Sequence, residues 1–311
     1  MKTTKPALLA AALMLPGAAL ADYPTGPVQF VVPWPPGDLE DVLTRMIAED
    51  FQAAYGQPAA VLNRPGGGGG PFPGAVDVAM APPDGSVIGS FVIDVPLVGP
   101  HIGIPQLDPN PFEPVGIFLT YPFVLATART APFQTMDELV AFAQENEVLL
   151  GHFGNEIPPT AVSFALAASL GFDWGEDAAF DALDCVTLSA GDVDVINTTI
   201  QLVLPCLDDI TVLATITPER LPMAPDAPTV AELVPDLTLT LWNGLFVHRD
   251  TPAEVRDRIA EVASVTVMSE RAQTFAADTG AQVYWMGAEE AQAQIERDAE
   301  TLARIEALIG D

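Results

Sequence analysis

The sequence has few basic residues. It contains 12 Lys and Arg against 42 Asp and Glu, which gives a net charge of −30 at pH 7. Its only lysines are Lys2 and Lys5. So acidic a chain repels anionic polymers and anionic membrane surfaces, which excludes nucleic acid as a partner. The run Gly66 to Gly70 is not a phosphate-binding loop either, since that motif requires a lysine after its last glycine.

Histidine is also scarce, and the motifs of common hydrolases are missing. His101, His152 and His248 are too scattered for a metal-ligand cluster, and there is neither a His-Glu-x-x-His nor a Gly-x-Ser-x-Gly motif. We therefore expect a protein that is not an enzyme and has no cofactor and no metal ion. A hydrolase without these motifs is the disfavoured alternative.

Long apolar runs are missing as well, because no stretch of eighteen uncharged apolar residues appears. The first 21 residues instead have the pattern of a secretory signal peptide: Lys2 and Lys5 precede the apolar stretch Ala7 to Leu15, and Ala19-Leu20-Ala21 is a small-residue cleavage site. We expect cleavage after Ala21 and export to the periplasm, so that the mature chain has no lysine.

The sequence has two cysteines, Cys185 and Cys206, which are 21 positions apart. An exported protein enters an oxidising compartment, where a disulfide between them would persist. Two small buried apolar side chains are the other interpretation. The sequence leaves both open.

The chain is organised around a strand, a loop and a helix near its beginning. Val28 to Val32 is an unbroken apolar run, which predicts a strand buried on both faces. Pro33, Pro35 and Pro36 end the strand, and apolar residues recur at helical spacing from Leu39. Open α/β sheets bind ligands beyond the carboxyl ends of their strands, and a helix N-terminus favours an anion. The loop is therefore the first candidate site.

The same arrangement recurs later in the chain. A strand at Val148 to Leu150 enters the loop Gly151 to Glu156, and a helix follows to Ser169. Another predicted strand, Val87 to Ile93, carries Ser90 and Phe91 and is followed by Asp94. A chain of 311 residues with these repeated units predicts two α/β lobes whose loops face each other across a cleft.

Several motifs in a fixed order make the chain from Tyr23 to Gly310 resemble the substrate-binding proteins of tripartite tricarboxylate transporters, the Bug-type periplasmic receptors. The motifs are Pro33-Trp34-Pro35-Pro36-Gly37 with Asp41, Asn63-Arg64-Pro65-Gly66, Pro83-Asp84-Gly85, Gly154-Asn155, Gly191-Asp192-Val193-Asp194, Ala227-Pro228-Thr229-Val230-Ala231-Glu232 and Trp242-Asn243-Gly244-Leu245-Phe246.

The resemblance implies a two-lobed periplasmic-binding-protein-like fold of the Venus flytrap type II, α/β, with a mainly parallel sheet flanked by helices in each lobe. We expect lobe 1 at residues 22–123 and 247–311, and lobe 2 at 124–246. The resemblance further implies a monomeric receptor that captures a small organic carboxylate by hinge closure and delivers it to an integral-membrane permease.

The resemblance also implies that backbone N–H groups of the two facing loops hold the ligand's carboxylate. The ligand-binding residues that we predict are Trp34, Pro36, Gly37, Asp38, Asp41, Ser90, Phe91, Asp94, His152, Gly154, Asn155, Glu156, Thr160 and Thr198. Trp34 and Phe91 would pack against the apolar part of the ligand, or simply belong to the packed wall. Paired helix N-termini would form the anion site without a basic side chain.

Acidic residues in these loops depart from the family's pattern. On one interpretation Asp38 caps a helix, and the other acids are surface charges that favour the helix dipole. On the other, Asp38, Asp94 and Glu156 converge on the cleft and select a zwitterion, a cation or a carboxylate bound with a metal ion. A ligand sensor for a membrane signalling protein and a degenerate receptor are further alternatives.

Overall fold

The computed structural model describes residues 23–66, 70–155, 157–180 and 182–310. The predicted signal peptide with its cleavage site, and Glu156 of the predicted cleft, lie outside the described residues. Among the described helices, none is both long and apolar enough to cross a membrane.

Strands and helices alternate through most of the chain. The strands are β1 (Val28–Val32), β2 (Ala59–Asn63), β3 (Val87–Val92), β4 (Phe112–Thr120), β5 (Phe123–Ala128), β6 (Leu149–His152), β7 (Glu176–Ala179), β8 (Val195–Thr199), β9 (Ile210–Ile216), β10 (Trp242–His248) and β11 (Gln282–Gly287). The helices are α1 (Leu39–Tyr55), α2 (Phe72–Ala79), α3 (Asp94–Leu97), α4 (Met136–Ala143), α5 (Pro158–Leu170), α6 (Cys185–Ala190), α7 (Ile200–Val203), α8 (Val230–Leu233), α9 (Ala253–Val267), α10 (Glu270–Thr279) and α11 (Ala288–Ile309). Short 3₁₀ helices lie at Gly99–His101, Leu204–Asp209 and Pro235–Leu237.

The strands form two sheets, one in each lobe. The first has the order β11-β4-β10-β3-β1-β2 and the second the order β7-β6-β8-β5-β9. In the first sheet β1 is parallel to β2 and β3, whereas β10 is antiparallel to β3 and β4. In the second, β6 is parallel to β7 and β8, whereas β5 is antiparallel to β8 and β9. The sheets are therefore mixed and not mainly parallel, because β10 in the first sheet and β5 in the second run antiparallel to the strands beside them.

The chain crosses between the lobes twice. It leaves after β4 and returns before β10, which pairs with the first sheet along its whole length. The predicted boundary at residues 246 and 247 falls inside β10, so the return occurs before Trp242. Helix α11 packs on β4 and also on α5 of the second lobe. The helix buries Ala291, Ile295, Leu302 and Ile305 on one side, whereas Ile309 is exposed.

Polar residues occupy the N-cap positions of α1, α4 and α8. Thr135 accepts a hydrogen bond from the backbone N–H of Glu138, and Thr229 forms a capping box with Glu232. Asp38 occupies the N-cap position of α1, but its side chain makes no capping hydrogen bond. Helix α9 begins at Ala253, and its N-cap position is held by Pro252, which has no capping side chain.

Cys185 and Cys206 form a disulfide, with their Cα atoms 5.9 Å apart. Cys185 is the first residue of α6, and Cys206 lies in the 3₁₀ helix that follows α7. The bond therefore ties together the segments before and after β8. A disulfide stabilises mainly by restricting the unfolded chain.

We expect the double substitution Cys185→Ser and Cys206→Ser to lower the free energy of unfolding by about 3 kcal/mol, because a closed loop of roughly this length removes that much chain entropy. Denaturant unfolding followed by circular dichroism measures the loss. Dithiothreitol should lower the wild type to the same value and leave the double variant unchanged. Equal stability of the two oxidised proteins would contradict the prediction.

Candidate functional site

A cavity of about 420 Å³ lies between the two sheets. The first lobe contributes the loop before α1, the end of β3 and the start of α3, and the second lobe contributes the loop before α5, the end of β8 and helix α7. Aromatic side chains line much of it: Trp34, Tyr121, Phe123, Phe153 and Phe180. The polar residues of the lining are Asp38, Glu40, Asp94, Thr199 and Gln201. The described lining contains no Lys, Arg or His, so its formal charges are all negative.

Asp41 fixes the loop before α1 by accepting hydrogen bonds. Its carboxylate accepts hydrogen bonds from the backbone N–H of Gly37 at 2.8 Å, from Asn63 Nδ2 at 2.8 Å and from Arg45 Nε and Nη2, both at 2.9 Å. Asn63 Nδ2 also donates to the carbonyl of Trp34. Gly37 has a φ of 99°, which only glycine adopts without strain. The loop thereby holds Trp34 at the cavity wall, while Asp41 itself lies outside the lining.

Glu40 is the most buried acid of the lining, with 2% of its surface exposed. The hydroxyl of Tyr121 donates to Glu40 Oε2 at 2.9 Å and lies 3.3 Å from Asn243 Oδ1. Asn243 Nδ2 in turn donates to Ser90 Oγ, which also accepts a hydrogen bond from Thr44. A buried polar chain thus runs from the cavity into the first sheet.

Burial raises the pKa of the cavity acids. The pKa of Glu40 rises to about 8 through burial and the nearby Asp38, although the hydrogen bonds from its own backbone N–H and from Tyr121 oppose the rise. Burial and Asp41 raise the pKa of Asp38 to about 6, and burial raises that of Asp94 to about 7. Burial and Glu40 raise the pKa of Tyr121 well above its usual value. The acids are thus poised to change charge near neutral pH.

Asp41 shows the opposite behaviour. Burial alone would raise its pKa, but the hydrogen bonds from Arg45, Gly37 and Asn63 lower it. The pKa values of the adjacent acids Glu40 and Asp41 are therefore shifted in opposite directions, because Asp41 faces a guanidinium and Glu40 faces a phenol.

The second helix N-terminus offers few donors to an anion. The first two residues of α5 are Pro158 and Pro159, which have no backbone N–H. The next two N–H groups, of Thr160 and Ala161, both donate to the carbonyl of Ile157. Residues 158–161 therefore offer no free backbone N–H to an anion, and the anion site at paired helix N-termini stays a prediction.

His152 and Gly154 are bonded to their own lobe. His152 is 1% exposed, and its Nε2 lies 2.9 Å from Asp177 Oδ2. Its Nδ1 accepts the backbone N–H of Gly154 at 3.0 Å. Both groups predicted to meet the ligand thus have partners elsewhere, and the neighbouring Phe153 lines the cavity in their place.

The structure brings only part of the predicted set to the cavity. Trp34, Asp38 and Asp94 line it. Ten predicted residues stand outside the lining: Pro36, Gly37, Asp41, Ser90, Phe91, His152, Gly154, Asn155, Thr160 and Thr198. Of the three acids expected to converge there, Asp38 and Asp94 do so, and Glu156 lies outside the described residues.

Two of these positions have clear structural roles. Phe91 is fully buried in the first sheet, where its ring stacks on Phe246 and meets the edge of Phe112. It therefore packs the core and does not contact the cavity. Thr198 donates to the carbonyl of Leu183, whereas its neighbour Thr199 lines the cavity, because successive residues of a strand face opposite sides.

Sequence reasoning missed Glu40, Tyr121, Phe153, Thr199 and Gln201. Glu40 stands in the first turn of a helix, where an acid is usually exposed and serves only the helix dipole. Neither the apolar neighbour Leu39 nor the position directly before Asp41 indicates that Glu40 is buried. Tyr121 lies between β4 and β5, and its position at the crossing between the lobes is the signal that identifies it.

Two sheets, two chain crossings and a cavity lined by both lobes define a two-lobed solute-binding protein. The chain belongs to the tripartite tricarboxylate transporter receptor family, whose model matches residues 43–311. This is a family of receptors and not a class of enzymes. The resemblance seen in the motifs is thereby confirmed.

Individual relatives agree with this assignment. An Agrobacterium vitis protein of the UPF0065 group, from the TAR-I ttuE-ttuC′ intergenic region, is 29% identical over 269 residues, which cover 82% of this chain and 76% of the relative. The R. palustris protein Rpa4515, solved with adipate, has a TM-score of 0.81 at 22% identity and covers 93% and 99% of the two chains. MatC from Rhodopseudomonas palustris, solved with bound malate, has a TM-score of 0.75 at 24% identity and covers 93% and 100%. The solved structures show that the fold is shared.

The raised pKa values make stability depend on pH. Each cavity acid binds a proton more tightly in the folded protein than in the unfolded chain, so its contribution is complete below the unfolded pKa and is lost as the pH rises through the folded pKa. We expect the ligand-free protein to lose stability between about pH 4 and 8 for this reason. Glu40→Gln should remove part of this loss, on the order of a few kcal/mol, in urea unfolding at a series of pH values.

Tyr121→Phe provides the comparison for this measurement. It removes the hydrogen bond to Glu40 and keeps the carboxyl group, so the pH-dependent loss should remain. A slope that is the same in the wild type and in Glu40→Gln would show that Glu40 titrates normally in the fold.

Proposed function

We propose that the protein is an exported receptor that captures a small organic carboxylate between its lobes and delivers it to an integral-membrane permease. The observation that carries the proposal is the cavity, because both lobes line it and the chain belongs to a family of transporter receptors. Two relatives of the same fold are solved with carboxylates, adipate and malate. Another, BugD, is described as a periplasmic binding protein, which supports the same compartment here.

Capture proceeds by closure of the two lobes. Trp34 and Asp94 reach the cavity from the first lobe, and Phe153 and Gln201 reach it from the second. A ligand contacts both groups at once only when the lobes are close together, so binding favours the closed state. The two crossings, at residues 121–122 and 217–241, are the segments about which the lobes move.

The binding surface combines predicted and newly recognised residues. Trp34, Asp38 and Asp94 belong to the predicted set and line the cavity, as do Glu40, Thr199 and Gln201. The aromatic walls cover the apolar part of the ligand, and the polar side chains select its end groups. The receptor works as a monomer, and the closed, loaded form is the one that the permease recognises.

Closure predicts that the distance between the lobes shortens when ligand binds. Spin labels at Met80→Cys in the first lobe and Asp192→Cys in the second report this distance, since both positions are exposed. Thermal shift against a panel of acids and amines first finds the stabilising compound, because ligand bound only to the folded state raises its stability. Electron paramagnetic resonance should then give a shorter mean distance with that compound.

Labels at Met80→Cys and Met268→Cys, both exposed positions of the first lobe, form the control pair. Their distance should stay constant. A distance across the lobes that also stays constant at saturating ligand would contradict capture by closure and leave binding itself intact.

A further inference from the structure

We infer that the ligand of this receptor carries a cationic nitrogen in addition to its carboxylate, so that an amino acid or a similar zwitterion fits the cavity better than a dicarboxylate. The inference rests on the proposed function and specifies the chemical class of its ligand. It depends on three features of the cavity: the sign of its charges, its unpartnered polar atoms and its aromatic walls.

The charges of the described lining all have one sign. Asp38, Glu40 and Asp94 line the cavity, and no basic side chain of the described lining accompanies them. Arg45 stands one helical turn beyond Asp41, but its guanidinium is bonded to Asp41 and Asn63. A second carboxylate on the ligand would face these acids without a counter-charge, whereas a cation would neutralise one of them.

Asp94 points to a ligand independently of the acidic cluster. It lines the cavity and is 4% exposed, and its Oδ1 atom has no hydrogen-bond partner in the structure. Gln201 reaches the cavity from the other lobe, and its Oε1 is also buried without a partner. Buried polar atoms are nearly always hydrogen-bonded, so two free acceptors from opposite lobes indicate a ligand that brings donors. An ammonium group has three N–H donors and no acceptor.

The structure offers less to a second anionic group. The first turn of α5 has no free backbone donor, because its first two residues are prolines and the next two N–H groups are already bonded. One unpartnered donor, Trp34 Nε1, belongs to a residue of the lining. Among the side-chain atoms of the described lining, one unpartnered donor and two unpartnered acceptors match a ligand with a single carboxylate and a single protonated nitrogen.

The aromatic walls favour the same ligand. Tyr121 and Phe123 meet edge to face at 6.2 Å, and Phe123 meets Phe153 in the same way at 6.4 Å. Together with Trp34 and Phe180 they line the cavity. Aromatic faces attract cations through their quadrupole, and aromatic side chains are a common surrounding for organic ammonium ions. The apolar carbons of the ligand pack on the same rings.

A dicarboxylate would bind by another route, which makes the two ligand classes distinguishable. If the cavity acids bound as neutral groups, they would donate to the ligand, and binding would take up protons. A cation instead stabilises their ionised form, so binding would release protons. Asp38, Glu40 and Asp94 are the groups of the described lining that exchange them, whereas Tyr121, whose pKa is raised well above its usual value, keeps its proton at pH 7. The sign of proton exchange therefore identifies the ligand class.

The test compares three six-carbon chains that differ only in their end groups: adipate, 6-aminohexanoate and hexane-1,6-diamine. Isothermal titration calorimetry at pH 7 in phosphate and in Tris gives affinity and proton exchange together. We expect 6-aminohexanoate to bind roughly tenfold or more tightly than adipate and to release protons. Tighter binding of adipate with proton uptake would overturn the inference and leave the proposed receptor function intact.

The remaining outcomes are also decisive. If the diamine binds more tightly than 6-aminohexanoate, the cationic nitrogen is supported, and the carboxylate of the proposed function is not. If none of the three binds, a thermal-shift panel of aromatic and shorter acids, amines and amino acids follows. Stabilisation by acids alone would overturn the inference, and no stabilisation across the panel would count against both the inference and the proposed function.

Asp94→Asn separates the charge of this side chain from its shape. We expect it to weaken 6-aminohexanoate binding roughly tenfold or more and to reduce proton release, because a buried charged pair loses one partner. Asp298→Asn is the matched control, since Asp298 is also a buried acid but lies outside the cavity and bonds to Trp242. Equal affinity of Asp94→Asn and wild type, with both variants folded by circular dichroism, would contradict the role of Asp94.

Discussion

The four hydrogen bonds that Asp41 accepts hold the first loop against α1, and the position of the cavity depends on them. The carboxylate joins the backbone of Gly37, the side chain of Arg45 and the amide of Asn63 at the end of β2. The loop, the helix and two parallel strands thereby become one unit. Trp34 and Asp38 can line the cavity because this unit is fixed, although Asp41 itself does not reach it.

Glu40, the preceding residue, connects the cavity to the crossing between the lobes. Its partner Tyr121 lies between β4 of the first sheet and β5 of the second. A change in the charge of Glu40 therefore acts on the segment about which the lobes are proposed to move. In the proposed capture by closure, this one hydrogen bond would couple the charge of the ligand and the protonation of Glu40 to the position of the lobes.

Local patterns predicted those parts of the fold that local interactions determine. The apolar run of β1, the prolines that end it and the helical spacing from Leu39 lie within twenty residues, and the structure confirms each of them. The caps at Thr135 and Thr229 are equally local. By contrast β7 is a short strand of polar and small residues, Glu176–Ala179, and its existence depends on pairing with β6.

The site was harder to predict because it depends on distant contacts and on strand parity. Glu40 and Tyr121 are 81 residues apart, and no local sequence pattern around either residue indicates that they form a hydrogen bond. Thr199 lines the cavity and Thr198 does not, which follows only from the register of β8. His152 was predicted to meet the ligand, and for a similar reason no local sequence pattern indicated its actual partner. That partner, Asp177, lies on β7, a strand that was not predicted.

Helix α11 packs on β4 of the first lobe and on α5 of the second. A rotation of one lobe against the other, as proposed for ligand capture, would therefore shift or break part of this contact. If the lobes close as proposed, the free-energy difference between the open and closed forms includes that contact, and affinity for the ligand includes the same difference. Substitutions in the C-terminal helix can accordingly tune the strength of binding over evolution without altering any residue that selects the ligand.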